Sequence, residues 1–372
     1  MPLRGGIRQL SCYRVSNNTR KAIRSPGFKF DFPHGTQQRM TIDWRAFTAT
    51  VQAATRILLT AHVRPDGDCI GSEIAMKRIL ESLGKDVRII NPHRTPPTLT
   101  FLDPTNAIRC LEDLTEEDSA WIDGIDLLFV LDTRSWAQLG EMGKTLKTTR
   151  ARKIVLDHHL KGDNIGAENF VDNTAEATGA LVAQAVRALG VPLTKEIAEP
   201  AFVALTTDTG WFRFASVTSQ TFRTAAELVD AGAEPAAIYR ELYEQESLGR
   251  VRLIGRILAK TEASLDGLVM CTWVTLDDLE QTGAIPSDTE DVVNMLLQVN
   301  GSTIALLFSE LQENCFKVSF RSRCDVDCSR LAALFGGGGH KQAAGATLNL
   351  PLDEAKRVVL DAVHSAYQET CS

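Results

Sequence analysis

No run of eighteen or more apolar residues occurs in the 372 positions of the sequence, which removes a membrane-spanning helix from consideration. Eight cysteines are present, but no Cys-x-x-Cys. Cys324 and Cys328 stand four apart with no second pair and no nearby histidine to complete a zinc site. A chain of this length without a secretory signal does not call for a disulfide framework, so the cysteines read as reduced, mostly buried thiols of a cytoplasmic protein. Positive charge is also short. The formal net charge is −7, and residues 1–39 hold eight Arg or Lys against one acid, a net of +7, so residues 40–372 carry −14. Such a body is a poor fit to long duplex DNA, whose binding comes mainly from neutralising many phosphates. It suits a small phosphorylated substrate, and acids are what a divalent-metal site requires.

What is present is an ordinary soluble composition, 44% hydrophobic and 23% charged, in a length that suits two domains. Residues 1–39 are basic, polar and aperiodic. They read as a disordered tail, with an Arg-rich transit-like segment as the alternative; no apolar core follows the charges, as a secretory signal would need. From Met40 onward, strands and helices alternate. Helices are expected from Asp43 to Thr55, from Gly71 to Leu83, from Thr178 to Leu189 and from Ala198 to Thr206, with Gly84 and Gly190 as stop signals. Strands are expected at 56–63, 87–90, 127–131 and 153–156. That alternation implies a mainly parallel sheet with helices on both faces over residues 40–234. A long helical stretch at 235–262 reads as a connector, and strands at 268–274, 304–308 and 315–321 with three helices make residues 263–372 a smaller α/β domain.

Ligands bind at the carboxyl ends of strands in open parallel sheets. Here those ends carry His62, Asp66 and Asp68, then Asp132, then Asp157-His158-His159, while the helix at 198–206 runs into Asp208. Each piece has a plain structural reading: Asp-Gly-Asp as a turn, Asp132 or Asp208 as a helix cap. The conjunction argues otherwise, since three of only seven histidines occupy these positions. His62, Asp66 and Asp68 on one strand-to-helix loop can serve two ions, with Asp132 between them. Paired ions about 3.5–4 Å apart activate water and polarise a phosphoryl group. Mixed imidazole and carboxylate ligation without thiolates favours Mn²⁺ over Ca²⁺ or Zn²⁺, with Mg²⁺ also open. A second signal is Phe335-Gly336-Gly337-Gly338-Gly339-His340-Lys341-Gln342-Ala343-Ala344-Gly345, whose glycines let backbone N–H groups approach a phosphate or sugar.

These motifs resemble the DHH phosphoesterase superfamily with a C-terminal DHHA1 domain, over about residues 55–350. The resemblance implies that His62, Asp66 and Asp132 hold one ion and that Asp68, Asp132, His158 and Asp208 hold the other. It implies that His159 contacts a phosphate oxygen and that Asp157 orients the histidine pair. Arg321 and Ser322, with Gly337, Gly338, Gly339 and His340, would bind substrate in a cleft between the two domains. The glycine-histidine run argues against a pyrophosphatase. About 20 residues after its strand leave no room for the extra domains of RecJ-type exonucleases. What remains is similar to the compact bacterial oligoribonucleases of the NrnA class, which implies short RNA and 3′-phosphoadenosine 5′-phosphate as substrates. Soluble cyclic-dinucleotide phosphodiesterase and single-strand DNA exonuclease stand as alternatives, and an RNA-binding module as the non-enzymatic one. No long duplex nucleic acid and no membrane are expected as partners, and a homodimer is left open. Trp211 and Phe212, just after Asp208, are candidates for stacking a base and read equally well as core.

Overall fold

A computed structural model of the protein describes residues 42–371, so the expectation for residues 1–39 lies outside the described residues. The first half is a six-stranded, wholly parallel sheet. Its strands are β1 (Arg56–Thr60), β2 (Asp86–Asn91), β3 (Ile108–Cys110), β4 (Leu127–Leu131), β5 (Arg152–Asp157) and β6 (Glu168–Val171), in the spatial order β3-β2-β1-β4-β5-β6. The central strand β4, Leu-Leu-Phe-Val-Leu, is buried at every position, as a parallel strand covered on both faces must be.

Alternate residues feed two separate cores. Ile57, Leu59 and Phe129 pack with α1 (Trp44–Ala53), α2 (Gly67–Ser82), and the later helices α6 (Thr178–Leu189) and α7 (Lys195–Asp208). Leu58, Leu128 and Val130 face α3 (Glu116–Asp123), α4 (Trp136–Leu139) and α5 (Met142–Thr148). Helices α2 and α7 approach closely: a Cβ at Gly71 would stand 2.3 Å from the Pro200 carbonyl oxygen. That contact lets the N-terminal end of α2 and the C-terminal end of α7 meet, and both ends carry site acids. α8 (Ser219–Asp230) and α9 (Pro235–Tyr243) complete this half.

The expected continuous helix at 235–262 is instead two. α9 ends at Tyr243, and α10 (Leu248–Ala259) starts afresh with the Ser247 side chain accepting from the Arg250 N–H. α10 packs through Leu253 and Ile257 onto the second sheet. That sheet runs β11-β12-β10-β9-β8-β7, from β7 (Glu262–Ser264), β8 (Val269–Val274), β9 (Ile304–Gln312), β10 (Cys315–Ser322), β11 (Gly338–His340) and β12 (Ala343–Leu348). Its β8–β9 pair is parallel and the other pairs are antiparallel. One face carries α13 (Cys328–Ala333) and α14 (Leu352–Cys371), and the other α10 with α11 (Leu276–Thr282) and α12 (Val292–Leu296). Four short strands go beyond the sequence expectation, β3, β6, β7 and β11, while β12 is the strand expected after the glycine run. β3, β6 and β7 are sheet-edge strands of three or four residues, and β11, also an edge, belongs to the glycine run itself. Among the described residues, no helix is long and apolar enough to cross a membrane.

Candidate metal centre

The strand order reverses direction between β1 and β4, and a crevice at such a switch point is where doubly wound sheets bind ligands. His62 and Asp66 follow β1, Asp132 follows β4, Asp157 ends β5 and leads into His158 and His159, and Asp208 ends α7. Helix α2 begins earlier than the sequence suggests. Asp66 caps it by accepting from the Cys69 N–H at 3.1 Å, so Asp68 lies in its first turn and not on a loop.

The side chains converge. His62 Nε2 is 3.8 Å from Asp66 Oδ1 and 3.3 Å from Asp132 Oδ2. His158 Nε2 is 3.7 Å from Asp68 Oδ2, 3.6 Å from Asp132 Oδ1 and 3.5 Å from Asp208 Oδ2. Three overlapping clusters with metal-ligating donors follow: His62, Asp66 and Asp132; Asp68, His158 and Asp208; and Asp132, His158 and His159. Asp132 belongs to two of these clusters through different oxygens. Its backbone sits in the left-handed region at φ 60°, a cost accepted where geometry at a site demands it.

Both inward histidines have their tautomer set. His62 Nδ1–H donates to the Val63 carbonyl at 2.9 Å, and His158 Nδ1–H to the Ala175 carbonyl at 3.3 Å. Each ring therefore turns Nε2 toward the carboxylates, the arrangement a ligating imidazole needs. The acids are also held. Asp68 accepts from the Thr178 and Gly179 N–H groups at 2.7 and 2.8 Å, capping α6, and from the Ser72 hydroxyl at 3.2 Å. The Thr178 hydroxyl donates to Asp132 Oδ1 at 2.9 Å. Asp157, fully buried, takes the His159 ring at 2.7 Å and Arg134 Nε at 3.2 Å, while Arg134 Nη2 donates to the carbonyls of His159 and Leu160. The supporting roles of Arg134, Thr178, Ser72 and Gly179 leave no mark in the sequence; a lone Arg three residues after a strand carries no local signal.

Electrostatics describe a centre that wants positive charge. Burial, then the neighbouring Asp132 and Asp208, hold the Asp68 carboxyl well above the usual range. Burial and the same kind of repulsion raise Asp208. Burial opposes charge on His62, yet hydrogen bonds to Asp132 and Asp66 outweigh it and push its pKa up to about 11. The Asp157 hydrogen bond raises His159 as well. Cys69 lies beside the cluster, and burial pushes its thiol far up, so it stays protonated and the donor set is oxygen and nitrogen. These residues fit divalent cations: converging carboxylates, imidazoles presented by Nε2, and no thiolate.

The residues proposed from the C-terminal half lie elsewhere, on the second sheet. Gly338, Gly339 and His340 form β11, paired to Gly345, Ala344 and Ala343 of β12. At Gly337 and Gly339 the absent Cβ admits the β12 backbone, which would stand 2.2 and 2.5 Å from it, whereas Gly338 has open space there. His340 is exposed. Arg321, half-buried, shares one face of β10 with Lys317 and Ser319, and the three line a cavity of about 390 Å³ with Glu290 and Asp291. Ser322 is buried, and its hydroxyl accepts from the Cys324 N–H at 3.2 Å. Trp211 and Phe212 pack against the core of the first half.

The profile of the "DHH family, N-terminal domain" matches residues 56–205, and that of the "DHHA1 domain" matches residues 268–369. A protein of Thermus thermophilus named "Bifunctional oligoribonuclease and PAP phosphatase NrnA" is 33% identical over 82% of this chain and 89% of its own length. One of the same name from Bacillus subtilis is 28% identical over 84% of this chain and 95% of its own. Among solved structures, an exopolyphosphatase-related protein from Bacteroides fragilis superposes with a TM-score of 0.74 at 28% identity, covering 88% of this chain and 96% of that one.

Proposed function

The chain belongs to the DHH family and carries a DHHA1 domain, and from that premise we propose that it is a metal-dependent phosphoesterase acting on short nucleotides. Its substrates on this reading are RNA oligonucleotides of a few residues, cut to mononucleotides, and 3′-phosphoadenosine 5′-phosphate, converted to AMP. The observation that carries it is the convergence of His62, Asp66, Asp68, Asp132, His158 and Asp208 at the switch point. The names of the Thermus and Bacillus relatives support the substrate pair.

The residues would divide their work as follows. His62, Asp66 and Asp132 hold one ion, and Asp68, Asp132, His158 and Asp208 the other, with Mn²⁺ the best match to the donor set and Mg²⁺ next. When bound, the ions supply charge neutralisation at the phosphoryl oxygens and lower the pKa of the attacking water. Asp132 faces His62 with Oδ2 and His158 with Oδ1, which suits it to bridge. His159 gives its Nδ1–H to Asp157, and that hydrogen bond raises its pKa, so in the protonated ring Nε2–H would be free to donate to a non-bridging phosphate oxygen as negative charge grows there. Arg321 and the Gly337–Gly338–Gly339–His340 hairpin would anchor the distal phosphate or terminal sugar, with substrate held in a cleft between the domains. A short substrate needs no long basic track, which agrees with the acidic body. Six free thiols among the described residues accord with a reducing, cytoplasmic setting.

The test is release of mononucleotides from a labelled RNA dinucleotide, and of phosphate from 3′-phosphoadenosine 5′-phosphate, with Mn²⁺ and with chelator. Metal-dependent cleavage of either is expected. Failure on both with metal bound would move the reading to a cyclic dinucleotide or a DNA end. Light scattering on the same preparation separates monomer from homodimer.

A further inference from the structure

Directly after Asp208 the backbone does something costly. Gly210, Trp211 and Phe212 take φ of 55°, 57° and 63° in succession, although two of them are large aromatic residues. Hydrogen bonds hold the turn: Gly210 N–H to the Thr207 carbonyl at 3.0 Å, Trp211 N–H to Thr206 at 2.7 Å, and Arg213 and Phe214 N–H to Thr209 at 3.0 and 3.1 Å. Strain kept up by surrounding contacts gathers at functional sites.

The turn sorts four consecutive side chains. Trp211 goes inward, with its ring 6.0 Å from Phe202 and 4.9 Å from Tyr239. Phe212 stacks on Phe222 at 5.3 Å and 22°. Phe214 goes outward and is 53% exposed. Its ring is nevertheless seated: a Cβ at Gly210 would stand 2.4 Å from two of its carbons, so the ring rests where a side chain at 210 would be. Beside it, Arg213 Nε donates to the Gly210 carbonyl at 2.7 Å, and among the described residues Arg213 has no carboxylate partner. Single exposed apolar side chains are common and by themselves mean little. A ring held in place beside a tethered cation, on a glycine seat two residues from Asp208, is a different observation.

We propose that Phe214 is the stacking platform for the nucleobase of the nucleotide whose phosphate lies at the metal centre, with Arg213 alongside to contact the base plane or the ribose-phosphate. This rests on the nucleotide reading above. Gly210, against which the Phe214 ring rests, is two residues from Asp208, a span of at most about 7 Å and one that a nucleotide bridges between its phosphate and its base. Stacking on an aromatic ring tolerates every base, so the platform favours the larger purines without selecting one. Trp211 and Phe212, the aromatics singled out from the sequence, are the supports of this turn.

The experiment compares an RNA dinucleotide with its abasic analogue, which has the same linkages and lacks the base over the platform. Phe214→Ala should lower the kcat/KM ratio of dinucleotide over analogue at least fivefold, the lower end of what one stacked base contributes. Phe214→Trp should restore it. A ratio that Phe214→Ala leaves in place overturns the platform, because a structural role would depress both substrates together. Calorimetry with AMP and ribose 5-phosphate separates the two readings. Base-dependent AMP binding that weakens in Phe214→Ala upholds the platform even if the dinucleotide is not cleaved, a result that would sink the oligoribonuclease reading alone. AMP binding equal in both proteins, or no preference of the native protein for AMP over ribose 5-phosphate, overturns the platform.

Discussion

At the rim of the first sheet the polar side chains are tied to one another before any substrate arrives, while on the β11–β12 hairpin they are not. Asp68 has three donors, Asp157 has His159 and Arg134, and both inward imidazoles are anchored through Nδ1. On the hairpin, His340 is exposed and Lys341 has one surface partner, Asp325 at 3.2 Å. The difference follows from what each region would hold on the proposed reading. Like charges packed within a few ångströms repel, and only fixed hydrogen bonds keep them at ligand geometry. Groups that grip an incoming phosphate do best with donors left free for it.

The comparison breaks first, and hardest, at Asp132. Asp132→Asn keeps the shape and tolerates the left-handed φ, but removes the shared charge. Loss of bound Mn²⁺ by elemental analysis and a fall in turnover of about a thousandfold or more are expected, because a bridging ligand serves both ions. Near-native turnover would remove Asp132 from the bridge. Next comes Arg134→Ala, which frees the His158-His159 segment without touching a ligand. A drop of about 10- to 100-fold in metal affinity or kcat is expected, as for other outer partners of metal ligands. If affinity and kcat both hold, the clamp is only structural.

A third measurement sharpens the contrast through protons. With its pKa near 11, His62 is an imidazolium at neutral pH without metal, and an ion takes only the neutral ring. Binding should therefore expel about one proton from His62, besides any held by the raised carboxyls of Asp68 and Asp208, and affinity should climb at least about tenfold per pH unit near neutrality. Calorimetry in buffers of different ionisation enthalpy reads this directly; binding without proton release would mean that His62 is not a ligand. The smallest effect is expected on the second sheet. Arg321→Ala should raise KM several-fold with kcat nearly kept, since the lost contact acts on binding. An unchanged KM would transfer the anchor to another cation, with Lys317 of the same cavity the nearest choice.

Much of the fold was legible because burial writes itself into strands. The run at 127–131 is apolar throughout, the strand at 153–156 is apolar after Lys153, and the α6 helix ends at Gly190 in the left-handed conformation, as the pattern suggested. Strands of three or four residues such as β3 and β6 left no such trace, because neighbours in space and not their own composition hold them in the sheet. The break between α9 and α10 leaves no mark because residues 244–247 are as polar as a helix surface, and Ser247 reveals itself as a cap only when its donor, the Arg250 N–H, is seen. After Asp208 nothing in the order Gly-Trp-Phe-Arg-Phe says which ring the turn exposes; the structure packs Trp211 and Phe212 and leaves Phe214 outside.

The sequence by itself determined which atoms can do the chemistry, because imidazole and carboxylate are properties of residue type and their place after strands follows from local hydrophobic pattern. Only the tertiary structure decided how they are held. Asp68 meets Thr178 across 110 positions, and Asp132 meets the same residue across 46. Partnerships at such separations arise from the order in which strands pair and from how closely α2 can lie on α7, and short-range pattern carries no record of either.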